Sequence, residues 1–476
     1  MNRTFDPRAL AADTAETMDL ALTRALEHLA EQRTRRLDPD PAAVAGLAAL
    51  GGPLPEEGEP APAVLDLLDR VGRPATVLNT SPRFFGFVCG GTLPVALGAQ
   101  WMAAAWDQNA AMRVLSPVAS AVEDVAREWL VDLLRLPPEI HCSFVTGTTT
   151  ADVVALLAAR QAVLERHGWN AARQGMAGAP AIRAVVSDQV HTTMLRALRV
   201  IGIGQDQVIR VPVDQQGRMI PAKLPSLDQG PTILCVQAGN VDSGSFDPLR
   251  PVIERAREAG AWVHLDGAFG LWAAACPELA HLVDGHDLAD SWACDGHKWL
   301  NVPYDSAMAF VRNREPLRET LKLKASYLVQ DLADPTEFTL ELSRRARGIE
   351  VWAALRNLGR QGVAGLVRQS CAMARRFAQH MSEAGFEVLN EVVLNQVLVS
   401  FGSDERTAEV MRRVREEGTA WFGGTRWRGR AAMRVSVSCW ATEEEDIDRS
   451  AEAALRVARE LGGGSRIKPT PRVKAG

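Results

Sequence analysis

Along residues 13–36 the apolar positions Met18, Leu22, Leu26 and Leu29 recur every three or four residues, which predicts an amphipathic helix. Residues 51–62, rich in Pro and Glu, break that spacing and predict an exposed connector. A second short helix is expected over 63–71, leading into Ser81-Pro82-Arg83-Phe84-Phe85-Gly86. This N-terminal unit is too small to bury a core of its own, so it is expected to clasp another lobe or a second subunit. From about 141 to 311 the pattern changes: short apolar runs at 143–145, 182–187, 233–237, 262–265, 291–294 and 307–311 alternate with helical segments. That alternation signals parallel βαβ units, and near-continuous apolar character suits strands covered on both faces. After 343 helical spacing returns over 347–358 and 362–384, followed by strand-like runs at 392–401 and 432–440. These predict a smaller α+β lobe. Residues 462–476, rich in Gly, Pro, Lys and Arg, are expected to form a mobile tail. No internal repeat is visible.

Composition narrows the class. The chain has 476 residues, 47% of them hydrophobic and 23% charged, with a formal net charge of −5. This is globular composition with length for two or three lobes, and it disfavours binding nucleic acid through bulk positive charge. Seven scattered cysteines form no CxxC pair, so neither a zinc clip nor a disulfide framework is indicated and reduced thiols are expected. No metal site is read. The first residues lack a basic start followed by an apolar run, and no apolar stretch reaches the roughly 20 residues of a membrane helix. A cytoplasmic protein with no membrane partner is the expectation.

The chemistry is suggested by the polar residues that stand just after each apolar run. Ligands of open parallel sheets bind beyond the carboxyl ends of the strands. Here the run 143–145 leads into Thr146-Gly147-Thr148-Thr149-Thr150, with a helix expected from Ala151. The next runs lead into His191, into Gly239-Asn240, into Asp266-Gly267-Ala268, and into Asp295-Gly296-His297-Lys298. Backbone N–H groups at a helix start, with the Thr148 and Thr149 hydroxyls, form a phosphate cradle, although threonines there equally serve as caps. Asp266 shares a strand face with His264 and is suited either to a ring nitrogen or to a structural ion pair. His191 can stack on an aromatic ring or cap a helix. Lys298 lies in an apolar setting, where desolvation would favour the neutral, nucleophilic amine. A lysine able to form a Schiff base, an acid for a ring nitrogen and a phosphate cradle together specify pyridoxal 5′-phosphate (PLP).

Several stretches carry a resemblance. Ser81 to Gly86, Leu115-Ser116-Pro117 through Glu123, Val263-His264-Leu265-Asp266-Gly267-Ala268-Phe269-Gly270, His297-Lys298-Trp299 and Ser343-Arg344-Arg345 with Trp352 resemble group II PLP-dependent amino-acid decarboxylases. The resemblance implies the PLP-dependent transferase fold of type I: a large α/β domain with a mostly parallel seven-stranded sheet, and a smaller C-terminal α+β domain. The expected division is an N-terminal helical clasp (1–78), a PLP-binding domain (79–345), a small domain (346–462) and a tail (463–476). By position, Lys298 would form the internal aldimine, Asp266 would pair with the pyridinium nitrogen and His191 would stack on the ring. Ala268 would pack on its other side, Thr148 and Thr149 would bind phosphate with help from His297, and Asn240 would lie near the phenolic oxygen or phosphate. The implied activity is a carboxy-lyase converting an L-amino acid to its amine and carbon dioxide, in a homodimer.

Substrate residues are read from chemistry alone. Arg434 alternates with apolar neighbours on its strand and suits a carboxylate, or else a solvated face. Arg113 is a second candidate. Phe84, Phe85 and Trp106 suggest a partly apolar pocket or a packed subunit boundary. Asp295-Gly296 stands where relatives carry Asn-Pro. The stretch 328–342 contains no tyrosine, although many decarboxylases place a proton-donating tyrosine there; Tyr327 and Tyr304 are the only tyrosines. The donor is then Tyr327, His191, Lys298, a water or a partner-chain residue. Without one, the reaction becomes carbon–carbon lysis or an oxidative decarboxylation giving an aldehyde; an aminotransferase or a silent scaffold is a more distant alternative.

Overall fold

The computed structural model describes residues 13–323 and 334–462, and the expected tail at 463–476 lies outside them. The N-terminal helices Thr14–Ala30 and Ala61–Gly72 lie against one another, with Arg24 of the first paired to Asp66 and Asp69 of the second. They are followed by β1 (Phe84–Phe85), which joins the smaller sheet and not the larger one.

The large sheet contains β2 (His141–Val145), β3 (Arg183–Ser187), β4 (Val208–Val211), β5 (Thr232–Gln237), β6 (Trp262–Asp266), β7 (Ser291–Asp295) and β8 (Ala307–Val311). Its order is β2-β8-β7-β6-β5-β3-β4, and β8 alone runs against the others. The six apolar runs read from sequence are all strands. The added one, β4, has only four residues, Val-Ile-Arg-Val, and the exposed Arg210 interrupts its apolar run. Both faces are buried. Val263, Leu265, Trp292 and Phe310 fill one side, while Val154, Leu156, Trp262 and Ala293 fill the other. Because side chains alternate along a strand, Trp262, His264 and Asp266 share the second face with Ser291, Ala293 and Asp295. Helix Thr148–Glu165 lies on that face, and its near-continuous Ala, Val and Leu content matches burial all round.

The smaller sheet has the order β1-β11-β12-β10-β9, with β9 (Glu387–Val388), β10 (Gln396–Ser400), β11 (Trp421–Trp427) and β12 (Arg430–Ser436). The apolar run expected over 392–401 is shortened to β10, and the one expected over 432–440 stops at Ser436. The strand β11 was not legible because Gly423-Gly424 and Arg426 interrupt its apolar pattern. The helices expected at 347–358 and 362–384 form one span, Gly348–Glu383, broken in backbone geometry at Gly359 (φ 60°, ψ −179°). The glycine between the two periodic segments is thus a true break.

Two contacts brace the larger lobe. Buried Glu123 receives both terminal nitrogens of Arg344 (2.8 and 2.6 Å), fastening helix Pro117–Leu133 to the segment before the long helix. Gly90 lies under the chain at Lys298, where an added Cβ would stand 1.7 Å from the Lys298 carbonyl oxygen. Only a glycine allows that approach. Gly90→Ala is therefore expected to destabilise the protein by about 1–3 kcal/mol through forced backbone displacement. Calorimetric melting checks this, and an unchanged melting temperature would contradict the close approach.

Candidate active site

A cavity of about 660 Å³ opens at the carboxyl ends of β5, β6 and β7 and is closed on its far side by Thr425 of β11 and Arg434 of β12. Thr148, Thr149, His191, Asp266, Ala268, His297, Lys298 and Arg434 all line it. Five separate strand-end segments converge, as the polar residues after each apolar run predicted. Four other candidates stand elsewhere. Phe85 is buried in the core of the smaller lobe, stacked on Phe422 with ring centroids 5.7 Å apart. Trp106 ends helix Pro94–Trp106 as an exposed side chain. Asn240 turns its carboxamide into its own loop, where Oδ1 accepts from the Asp242 and Ser243 N–H groups (2.9 and 3.1 Å). Arg113 belongs to a separate cavity of about 590 Å³ and pairs with Asp124 at 2.8 Å.

Helix Thr148–Glu165 starts three residues earlier than the sequence suggested, with Gly147 as its extended N-cap. Threonines are tolerated in a first turn, where no preceding turn crowds their branched Cβ. The Thr148 N–H donates to Asp295 Oδ1 (2.7 Å), so a carboxylate from β7 supplies the cap. The Thr148 hydroxyl is buried without any protein partner. A buried unpartnered hydroxyl beside a helix N-terminus is suited to an anionic oxygen.

Lys298 departs from the sequence expectation. Its Nζ lies 2.9 Å from Asp295 Oδ2 and 6.0 Å from the centre of the Phe269 ring. Burial opposes its charge, but Asp295 and then Asp266 outweigh that effect and raise its pKa above the ordinary value. The apolar setting is real; the amine is nevertheless held as an ammonium because β7 ends in a carboxylate. Asp295 responds in kind. Burial works to raise its pKa, yet Lys298, His297 and the Thr148 contact bring it below the ordinary carboxyl value.

Asp266 accepts from the Ala268 N–H (3.1 Å), and burial pushes its pKa up against the pull of His191 and Lys298. A cation placed beside it would reverse that upward shift. His191 is at once the N-cap of helix Thr192–Val200 and a wall of the cavity. Its Nδ1 accepts from the Thr193 N–H (3.3 Å) and faces the Thr193 hydroxyl at 2.7 Å. The neutral ring therefore carries its proton on Nε2. Burial lowers the His191 pKa, with Asp266 opposing, which keeps that ring uncharged.

His264 does not face the cavity, despite sharing a strand face with Asp266. It is fully buried, with Nε2 3.1 Å from Asp152 Oδ1 and Nδ1 2.9 Å from Ser291 Oγ. The Trp262 indole N–H donates to the same Ser291 Oγ (2.9 Å). Ser291 Oγ thus links the indole to His264 Nδ1, and Asp152 closes the buried chain at His264 Nε2. Burial depresses the His264 pKa to about 3 and raises that of Asp152 well above the ordinary value. Sequence reading missed Asp152 because it lies one helical turn into an apolar run, where an acid reads as an exposed residue. It also missed Phe87 and Val88, which line the cavity two and three residues past Phe85. Both have positive φ (53° and 59°), a backbone turn that no side-chain pattern announces.

The arrangement can hold a flat cationic ring between Asp266 and an amine, with an anionic arm at the Thr148 helix end. Comparison with known proteins agrees. The family model described as the pyridoxal-dependent decarboxylase conserved domain matches residues 49–402. Tryptophan decarboxylase 1 of Oryza sativa subsp. japonica is 28% identical over 422 residues, spanning 80% of this chain and 81% of that protein. The 4-hydroxyphenylacetaldehyde synthase of Rhodiola rosea is 28% identical over 359 residues, 70% of this chain and 72% of that protein. Among solved structures, Oryza sativa TDC with PLP and tryptamine superimposes with a TM-score of 0.89 at 24% identity, covering 97% of this chain and 100% of that one. The chain belongs to the pyridoxal-dependent decarboxylase family, and its activity is the PLP-dependent decarboxylation of an amino acid.

Proposed function

We propose that the substrate is an apolar, and specifically aromatic, L-amino acid, decarboxylated in the cavity between β6, β7 and β12. The observation that carries the site assignment is the meeting of Lys298, Asp266 and the Thr148 helix start in one cavity. Phe87 and Val88 on its wall support an apolar side-chain subsite, and tryptophan decarboxylase 1 and 4-hydroxyphenylacetaldehyde synthase are relatives whose names point the same way. Bound PLP supplies a protonated ring that accepts the electron pair left when the carboxylate departs.

The residues of this chain have separate tasks. Lys298 Nζ would carry the cofactor covalently, and the Asp266 carboxylate would hold the proton on the ring nitrogen. The Thr148 hydroxyl and the Thr149 segment would receive the phosphate, with His297 beside them. His191 would lie over one ring face and Ala268 over the other. Arg434, whose guanidinium is only loosely engaged by Val241 O (3.3 Å) and Asp242 (3.5 Å), would orient the substrate carboxylate, and its Nε is buried without a partner. His191 Nε2–H is positioned to return a proton to the α-carbon. Tyr327 and part of the 328–342 stretch lie outside the described residues, and that stretch has no tyrosine.

The missing tyrosine also favours one second reading. An electron-rich carbon left unprotonated is open to dioxygen. Amino acid, O₂ and water would then give aldehyde, carbon dioxide, ammonia and hydrogen peroxide, the chemistry of an aldehyde synthase. We infer a homodimer, because Met18, Leu22 and Leu26 on the first helix, Val64 and Leu68 on the second, and Trp101 and Met102 expose apolar surface. A cytoplasmic setting is supported by seven free buried thiols. No helix among the described residues is long and apolar enough to cross a membrane.

Lys298→Ala is expected to abolish the visible absorbance of bound PLP. Asp266→Asn should still bind PLP while turnover falls about 10²-fold or more; full activity in Asp266→Asn would remove the ring-nitrogen role. For His191→Asn, amine formation should drop by about 10² or more. Products from a panel of L-amino acids, quantified for amine, aldehyde, ammonia and peroxide, separate the two reactions. Equal amine from aromatic and acidic substrates would refute the aromatic assignment.

A further inference from the structure

Asp295 occupies the groups that the cofactor needs. It ends β7 on the face covered by helix Thr148–Glu165, and it is 2% exposed. One oxygen takes the Thr148 N–H at 2.7 Å and lies 3.7 Å from His297 Nε2; the other holds Lys298 Nζ at 2.9 Å. The helix-end donor, the imidazole and the amine are thus gathered by one carboxylate, while the neighbouring Thr148 hydroxyl has no partner. We propose that Asp295 is an internal anion that closes the phosphate cradle before PLP arrives, and that loading the cofactor requires this carboxyl to take up a proton. The proposal rests on the assignment of Lys298 and Thr148 to PLP made above.

The physical reason is charge. A phosphate dianion entering the Thr148 helix end meets a buried carboxylate in a low-dielectric space, where repulsion is weakly screened. The carboxylate has little freedom to withdraw. Asp295 N donates to Ala268 O (2.9 Å), its strand is paired on the β8 side up to Ala307, and the next residue, Gly296, has no space for a side chain against Ser306. A proton on Asp295 converts the repelling oxygen into a donor to phosphate. It also removes the charge that keeps Lys298 an ammonium, so opening the cradle and readying the amine are coupled.

Other groups face Asp295. His297 and Lys298 follow it in sequence, Cys294 precedes it, and Tyr304 lies beyond them. Asp266 comes from β6, Asp152 from the covering helix and His191 from the helix after β3. The two histidines, both lowered by burial, are the competing proton acceptors. The sign follows from linkage: a site that gains a proton with its ligand loses affinity as pH rises above the free-state pKa.

The probe is 4-deoxypyridoxine 5-phosphate, which has the ring and phosphate but no aldehyde, so imine formation does not enter. It is titrated calorimetrically into wild type and Asp295→Asn between pH 7 and 9, in two buffers of different ionisation heat. Wild type should take up about one proton more than the variant and weaken by up to about tenfold per pH unit. Asp295→Asn should bind at least tenfold tighter at pH 8, with a flatter pH profile. Equal affinities, or the same proton count in both proteins, would overturn the proposal by placing the proton on a histidine. The wild-type count stands as a test even if the variant folds poorly, since no proton uptake there refutes the proposal outright. Failure of both the probe and PLP to bind would instead bring down the cofactor assignment, and this proposal with it.

Discussion

An ammonium buried against a carboxylate, Lys298 beside Asp295, is the interaction around which the rest of the site is arranged. Two charges taken out of water are costly to bury and are held only when further hydrogen bonds satisfy the remaining oxygens. Here the second Asp295 oxygen is satisfied by the first N–H of helix Thr148–Glu165. The helix therefore has to begin at the end of β7, and its apolar body then covers the face that carries His264, Asp266 and Ser291. The helix start and the amine thus meet at one carboxylate.

The same face concentrates acids. Asp152, Asp266 and Asp295 act on one another electrostatically, and like charges at such range do not all ionise. The structure resolves the conflict by giving each a different environment. Asp295 keeps its charge through Lys298. Asp152 sits deepest and is pushed towards its neutral form, at the end of a buried Trp262–Ser291–His264 hydrogen-bonded chain. Asp266 lies between these extremes, raised by burial but still within the field of Lys298 and His191. A carboxyl so poised gains most from a cation brought next to it, which is what a protonated ring offers.

Much of this was legible in sequence, for physical reasons that also mark where legibility ended. Strands covered on both faces need apolar runs, so six of the seven large-sheet strands announced themselves; β4, four residues long and interrupted by the exposed Arg210, did not. Polar residues stranded after those runs had to be at strand ends, which located Thr148, His191, Asp266 and Lys298 together. The rest depended on turns and pairings that leave no periodic trace. Phe85 and Phe87 differ by two residues, yet a left-handed turn at Phe87 and Val88 sends one ring to the core and brings the other to the cavity. The charge on Lys298 was misjudged from its apolar neighbours because the decisive partner, three residues earlier, was seen only as a departure from its relatives.

The cavity is also a joint between lobes, and this limits what can move. The strand β1 runs parallel to β11 (Phe84 opposite Trp421, Phe85 opposite Phe422), so the segment that supplies Phe87 and Val88 continues directly from a strand of the smaller sheet. Shortly beyond it, Gly90 lies against the Lys298 carbonyl of the larger lobe. Arg434 is carried by β12, next to β11 in the same small sheet. The apolar wall and the guanidinium are therefore held in fixed relation by the smaller sheet, and one short chain segment carries that sheet over to the amine of the larger lobe. A shift of the small lobe would move Arg434 and the Phe87 wall as one unit relative to Lys298 and Asp266. Orientation of the bond to be broken is thus set by how the two sheets are joined, and less by any single residue in the cavity.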